Sequence, residues 1–522
     1  MKRIIVIGLS LLAIFALMAE AVYAQAPDPG SGTSFGAAQN VDSTGAATMR
    51  QDFYDQDGNL DAYRQKANVA YGDTMGLTTN DLADAPLSAQ LPSGWVGSSV
   101  VSSDREAAAV VLIQYTGGSI GADHVTTADY AGVGNPGSDI FCPSVGKISY
   151  EATEIVVMNT STSNISDVSI SFKDRNGANA GTAKTNISIK ANSQQTFDLF
   201  DASFNLPTNF LGSARIQSTG GTPLAVVAVT HWGNSSGAFG TFAYNCQPTS
   251  AAATVLYAPK VQRRKPGWNG GNWYDSTGIV VVNTEGTAAS ARVEFYDRSG
   301  VFSGVFTDTV PAYSARGYNT EYYGNANTAV INGLIGAGTA ANPDWQGSAV
   351  VRSVGAGGQK LVGVVKQGYE GTRWAAGYDM LSNADAKQNW FFPLVYRRGL
   401  NKPWTDYAGL ICQNVSSGTV APQVTFKNRT TGETDTFTDA TPFGQYVSHG
   451  YNTRYGANQS ASWFGNTSSG SIGNNLAANF LGAAFVTASK NIVCIQETWF
   501  EEVYSGGWVN GGDANLNNVY GK

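Results

Sequence analysis

One phrase occurs four times in this chain, and any fold it adopts has to accommodate all four copies. The clearest copy is Gly278-Ile-Val-Val-Val-Asn283 followed by Ala291-Arg-Val-Glu-Phe-Tyr-Asp-Arg-Ser-Gly300. The others are Ala37-Ala-Gln-Asn40 with Asp52-Phe-Tyr-Asp-Gln-Asp-Gly58, Ile155-Val-Val-Met-Asn159 with Val168-Ser-Ile-Ser-Phe172-Lys-Asp-Arg-Asn-Gly177, and Leu410-Ile-Cys-Gln-Asn414 with Val424-Thr-Phe426-Lys-Asn-Arg-Thr-Thr-Gly432. From Asn to turn Gly the separations are 18, 18, 17 and 18 residues. Apolar residues alternate with polar ones along Val168–Phe172 and Val293–Tyr296, the period of strands with one buried and one wet face. The Gly that ends each copy supplies the positive φ that reverses the chain, so each unit begins with a hairpin.

A second phrase closes every unit: Leu91-Pro-Ser-Gly-Trp95-Val-Gly97, Leu206-Pro-Thr-Asn-Phe210-Leu-Gly212, Asn342-Pro-Asp-Trp345-Gln-Gly347 and Leu476-Ala-Ala-Asn-Phe480-Leu-Gly482. A strongly apolar strand follows: Ala109–Ile113, Leu224–Val229, Leu361–Val365 and Ile492–Ile495. The aromatic two residues before each Gly reads as a core plug rather than a ligand platform. Asn40, Asn159, Asn283 and Asn414 read as strand-end residues that bond backbone rather than as ligands.

With 522 residues the chain is too long for one core, and 14% charge with 61 Gly is the usage of secreted all-β protein. The net charge of −7 does not suggest a nucleic-acid partner, and the basic runs Arg263-Arg-Lys265 and Arg397-Arg398 read as solvated strand ends. Residues 1–24 have the pattern of an export signal: Lys2 and Arg3, an apolar run from Ile4 to Met18, then Val22-Tyr-Ala24, giving a mature start near Gln25. The apolar run is short for a membrane span and no later segment approaches that length. Export makes cysteine pairing within units the expectation, Cys142–Cys246 and Cys412–Cys494, each closing a loop worth on the order of 4–5 kcal/mol in the chain-entropy model.

Residues 25–32 form a flexible leader, and the four repeats are placed at 33–121, 139–233, 254–369 and 388–504, joined by Gly/Ser/Asn-rich connectors. Their size and strand count fit tandem immunoglobulin-like β-sandwiches, all-β throughout. Repeats two to four open with an extra strand at Ile140-Phe-Cys-Pro143, Leu256-Tyr-Ala-Pro259 and Trp390-Phe-Phe-Pro393, and repeat one has no counterpart between Gln25 and Gly36. An open sheet edge in repeat one follows, where another chain can add a strand. The tail, 505–522, resembles the connectors, and its residues Leu516, Val519 and Tyr520 are the candidate assembly strand for the next subunit.

Chemistry is hard to place. His124, His231 and His449 fall at unrelated positions, and Gly32-Thr-Ser34-Phe-Gly36 and Gly233-Asn-Ser235-Ser-Gly237 lack the helix a nucleophile elbow needs. No catalytic residue, cofactor or metal is assigned. Asp55, Asp57, Asn59 and Asp61 place oxygens at alternate positions as a calcium loop would, with a plain hairpin turn as the preferred reading. Sequons occur at Asn159, Asn164, Asn186, Asn234, Asn414, Asn428, Asn458 and Asn466, of which Asn458 and Asn466 are the glycosylation candidates.

The opening Leu-Tyr-Ala-Pro or Phe-Phe-Pro-Leu-Val, the V-V-N strand, the F-Y-D-x-x-G turn and the W-x-G-S-A-V-V phrase resemble the repeats of uncharacterised secreted bacterial cell-surface proteins, S-layer-like or filament-forming. The resemblance covers nearly the whole mature chain and implies export, repetition and β-sandwich architecture, with no catalytic residues. The expectation is a secreted, non-enzymatic structural protein that self-assembles head-to-tail into a filament or cell-surface layer. The alternative is an adhesin that binds envelope glycans through Trp268, Trp273, Trp374, Trp404 and Trp508; a polysaccharide-acting enzyme is third.

Overall fold

The computed structural model describes residues 31–79, 85–116, 125–233, 239–264, 274–320, 331, 334–335, 344–370, 375–398, 404–453, 476, 479–504, 507–508, 513–518 and 520–522. The described chain is almost entirely antiparallel β-structure. Unit one contains β1 (Ser31–Asn40), β2 (Ala47–Asp55), β3 (Leu60–Val69), β4 (Thr74–Thr78), β5 (Gly97–Ser103), β6 (Ala107–Thr116) and β7 (Val125–Ala131). Unit two contains β8 (Asp139–Ile148), β9 (Glu151–Asn159), β10 (Ile165–Asp174), β11 (Asn179–Ile189), β12 (Gln194–Asp198), β13 (Phe210–Ser218), β14 (Leu224–Gly233), β15 (Phe239–Asn245) and β16 (Gln247–Pro248). Unit three contains β17 (Val255–Arg264), β18 (Tyr274–Asn283), β19 (Ala289–Asp297), β20 (Phe302–Val310), β21 (Ala315–Asn319), β22 (Asp344–Ser353), β23 (Leu361–Glu370), β24 (Ala375–Asp379) and β25 (Leu381–Ser382). Unit four contains β26 (Lys387–Arg398), β27 (Trp404–Asn414), β28 (Gln423–Asn428), β29 (Thr434–Thr438), β30 (Ser448–Asn452), β31 (Phe480–Tyr504), β32 (Gly507–Trp508), β33 (Asp513–Asn518) and β34 (Tyr520–Gly521).

Units two and three share one strand order, β11-β10-β13-β8-β9-β14-β15 and β20-β19-β22-β17-β18-β23-β24, with β12 and β21 added at β9 and β18. Unit four repeats it, with the long β31 pairing β28 and β26 by its first part and β27 by its second. In unit one the same order is broken into β3-β2-β5 and β4-β1-β6-β7. The opening strand that links the two halves elsewhere has no counterpart among the described residues.

The repeated residues do the same job in each unit. Asn40, Asn159, Asn283 and Asn414 are wholly buried. Each donates from Nδ2 to two or three backbone carbonyls, such as Thr287, Val310 and Pro311 for Asn283, and accepts the backbone N–H two residues on through Oδ1. One amide thereby ties three chain segments together, a fully satisfied buried polar group. Asn283→Leu leaves those carbonyls without their donor and is expected to cost about 2–4 kcal/mol, read as a lower denaturant midpoint. Burial also closes the sequons at Asn159 and Asn414 to a glycan in the folded chain.

The aromatic plugs recur with one geometry. Phe53–Trp95, Phe172–Phe210, Phe295–Trp345 and Phe426–Phe480 meet edge to face with centroids 5.9, 5.9, 6.0 and 6.2 Å apart. Phe210, Trp345 and Phe480 are buried, whereas Trp95 is half-exposed. The disulfides join Cys142 to Cys246, from β8 to the end of β15, and Cys412 to Cys494, facing residues of β27 and β31.

The connectors are not plain linkers. Each carries a strand, β7, β15 or β24, that extends its unit's second half by pairing with β6, β14 or β23. These strands are covered on both faces, as Thr126, Thr127, Ala128 and Asp129 are in β7, so they lack the alternation that marks a half-exposed strand. The tail follows the same rule: β33 pairs β31, and β34 pairs β26. Strand β7 lies against β15, β15 against β24, β24 against β33 and β33 against β7, closing the four units into a ring. Arg263 is buried in β17 rather than solvated.

Candidate functional site

Comparison of the four seams of this ring defines the site. In units two to four the opening strand has two contacts at once. It pairs with its own unit's β13, β22 or β31, and its other side chains pack on the outer face of the next unit. Phe141 of β8 stacks on Tyr313 of unit three, Tyr257 of β17 on Tyr446 of unit four, and Phe391 of β26 meets Tyr71 of unit one edge-on. Unit one docks on unit two in the same way: Ser98 Oγ donates to the Asn192 carbonyl as Ser348 Oγ donates to that of Tyr446, and Lys190 pairs with Asp57 at 3.0 Å.

Among the described residues unit one has no opening strand, and a groove of about 750 Å³ lies where that strand would stand. One wall is the inner face of unit one, Val101 on β5 with Ala109, Val111 and Ile113 on β6. The other is the outer face of unit two, including Val156, Met158, Ala225 and Val227. All these side chains are half-exposed. Their counterparts elsewhere are buried: Ile216, Val351 and Val486 match Val101, and Ala37, Val280 and Ile411 match Val156. An apolar surface covered three times out of four in one chain is a surface shaped to be covered.

The backbone at the groove is open too. Among the described residues β5 pairs only with β2. The Asp104 N–H donates to Thr48 O, so by alternation the residues at Ser98, Val100 and Ser102 face β2, and Ser99, Val101 and Ser103 direct N–H and C=O to the unpaired side.

The remaining candidate residues are placed as follows. Asp55 Oδ1 accepts the N–H groups of Asp57 and Asn59, Asp57 pairs with Lys190, and Asp61 accepts from Trp95 Nε1. The same turn is built by Asp174 and Asp297, so these carboxylates serve the hairpin and the seam with unit two. Hydrogen bonds from Asn59 hold the Asp55 carboxyl below its ordinary range. Leu516 faces Glu497 and Tyr520 faces Phe391 in the chain's own unit four, so the expected assembly strand is engaged at home; Val519, Asn458 and Asn466 lie outside the described residues. His231 is buried against Thr241, and His449 lies 2.7 Å from Asp439; they sit in different units, and His124 lies outside the described residues. Ser34 lies in β1, a strand rather than an elbow. Among the described residues no cluster of His, Cys, Asp or Glu is arranged to hold a metal, and no helix is long and apolar enough to cross a membrane.

The missing phrase before β1 led to the expectation of an open edge, and among the described residues β5 is unpaired on that side. The second wall was not anticipated, although Ile155-Val-Val-Met158 places apolar residues on both faces of β9, the mark of a strand covered twice.

No protein-family model and no curated protein matches the chain. Among solved structures, a Thermotoga maritima protein aligns over 26% of this chain and 97% of its own at 10% identity and TM-score 0.19. The serine-rich repeat protein Srr2 of Streptococcus agalactiae aligns over 80% of this chain and 85% of its own at 9% identity and TM-score 0.12. A tetra-tandem repeat from the extending region of a large adhesion protein aligns over 95% and 97% at 11% identity and TM-score 0.10. At these scores the likenesses carry no argument, and the functional reading rests on the groove alone.

Proposed function

We propose that this is an exported structural protein, four immunoglobulin-like sandwiches closed into a ring, that joins neighbouring chains by accepting a strand into unit one. The observation that carries the reading is the bare edge of β5 above a half-exposed apolar groove whose three sibling positions are filled. An added strand satisfies the outward N–H and C=O groups and covers the apolar walls together. Where the neighbour is another copy, the contact is heterologous and does not close on itself, so it propagates head-to-tail into a filament or cell-surface layer. The export pattern of residues 1–24 and the two disulfides support a place outside the cytoplasm. The adhesin alternative gains no support, because the side chains of Trp268, Trp273, Trp374, Trp404 and Trp508 lie outside those described.

Val101→Pro removes an outward N–H and leaves the β2 ladder intact, a substitution an edge strand tolerates. Negative-stain images of wild-type secreted material are expected to show repeating assemblies, and the variant, still folded and oxidised, to remain dispersed. Undiminished assembly in the variant, or a wild type dispersed at every concentration, overturns the reading.

A further inference from the structure

The three filled seams also state what the missing strand is made of. Opposite Ile216, Val351 and Val486 stand Ile140, Leu256 and Trp390. Opposite Arg215, Val350 and Phe485 stand the aromatics Phe141, Tyr257 and Phe391, which turn outward to the next unit. Cys142, Ala258 and Phe392 follow, facing inward, and then the pairing skips: a bulge holds Pro143, Pro259 or Pro393, where a residue without an N–H is accommodated. The strand resumes with Val145, Val261 or Val395 opposite the repeated Gly212, Gly347 or Gly482. One pattern underlies all three: large apolar, aromatic, apolar, Pro, variable, Val.

The variable residue is matched to the unit it lands on. Ser144 accepts a hydrogen bond from Lys366 at 3.2 Å, Lys260 forms a buried ion pair with Glu497, and Leu394 packs on Ala37 and Val110. Lys366 and Glu497 each stand five residues beyond the start of the apolar strand of their unit, Leu361 and Ile492; in unit two, five beyond Leu224, that position is Val229. Val156 and Val227 flank it, but Glu154 stands directly across the ladder from Val229 and lines the groove, so a basic variable residue would meet a carboxylate there as Lys260 meets Glu497.

We propose that the groove takes a strand from a partner polypeptide, antiparallel to β5, reading large apolar, aromatic, small apolar, Pro, Lys, Val, as Leu256–Val261 does, with the Lys toward Glu154 beside Val229. This rests on the strand-accepting function proposed above and names the partner's chemistry. The aromatic residue lies toward Asn192, the counterpart of Tyr313 and Tyr446. The strand's inward residues complete the core of unit one between Val101 and Ala109. A rival occupant is the chain's own Val22-Tyr-Ala24, which carries an aliphatic, Tyr and Ala run and lies eight residues before Gly32 (32 − 24), where unit two has nine between Cys142 and Glu151 (151 − 142).

The test uses fluorescent peptides copying residues 254–264 and the chain produced from Gln25. The wild-type peptide is expected to bind with rising anisotropy and to slow amide exchange at Ser99, Val101 and Ser103. The Lys260→Glu peptide should bind at least about tenfold more weakly, because it would bury a second carboxylate beside Glu154. The Val101→Pro protein should bind neither peptide. Equal affinity for the two peptides, or binding without protection of β5, overturns the proposal. So does a chain starting at Val22 that refuses the peptide while the Gln25 chain takes it, since the groove is then filled from within. Binding in a protein that never assembles leaves this inference standing and removes the polymer; assembly that survives Val101→Pro without peptide binding removes both.

Discussion

Gly347→Ala is expected to destabilise the chain by at least about 4 kcal/mol, read as a large fall in denaturation midpoint and poor secretion. A Cβ at Gly347 would lie 1.9 Å from the Tyr296 carbonyl oxygen, far inside contact distance. Strand β22 is held by β19 on one side and β17 on the other, so it has no direction in which to retreat. Gly97 meets the Tyr54 carbonyl at 2.1 Å, an equivalent clash. Among the described residues β5 has a neighbour there on one side only and can move outward, so Gly97→Ala is expected to lose about half as much. Equal losses at the two glycines would mean that β5 is held on both sides.

The second large effect concerns the buried ion pair between units three and four. Lys260 and Glu497 have side chains 3% and 0% exposed. Lys260→Met alone, or Glu497→Leu alone, leaves the other charge with its main partner gone, a loss of about 3–5 kcal/mol. The double variant, Met against Leu, recreates the apolar chemistry that Leu394 has on unit one, and is expected to recover most of that stability. Thermal melting of the four proteins in the cycle checks this. Additive losses would show that the two side chains are independent and that the variable residue is not matched across the seam.

Much of this was legible in the residues because backbone geometry enforces it. The buried Asn, the edge-on aromatic and the glycine under a carbonyl each have one solution per unit, so they recur in register and announce four copies. The missing phrase between Gln25 and Gly36 was legible for the same reason, as a gap in a frame. The connectors were misjudged because β7, β15 and β24 run through the centre of the ring: a strand covered on both sides has no alternating pattern to read, and Thr, Ala and Asp suffice there. The seams were invisible because local periodicity reports which residues are buried and not against what. Lys260 and Glu497 stand 237 residues apart, and nothing nearby marks them as partners.

Ring closure by the fourth unit has a mechanical consequence. The polypeptide crosses from unit one to two, two to three and three to four, whereas units four and one meet through non-covalent contacts alone: Tyr71 against Phe391 and Phe485, Lys427 with Asp73, Lys522 with Glu106. Under tension along the chain that contact parts first, and the closed molecule swings out into a string of four beads before any bead unravels. Length is released before any unit opens, and across unit two the tension is carried by the Cys142–Cys246 bridge, which joins the strand by which the chain enters that unit to its exit.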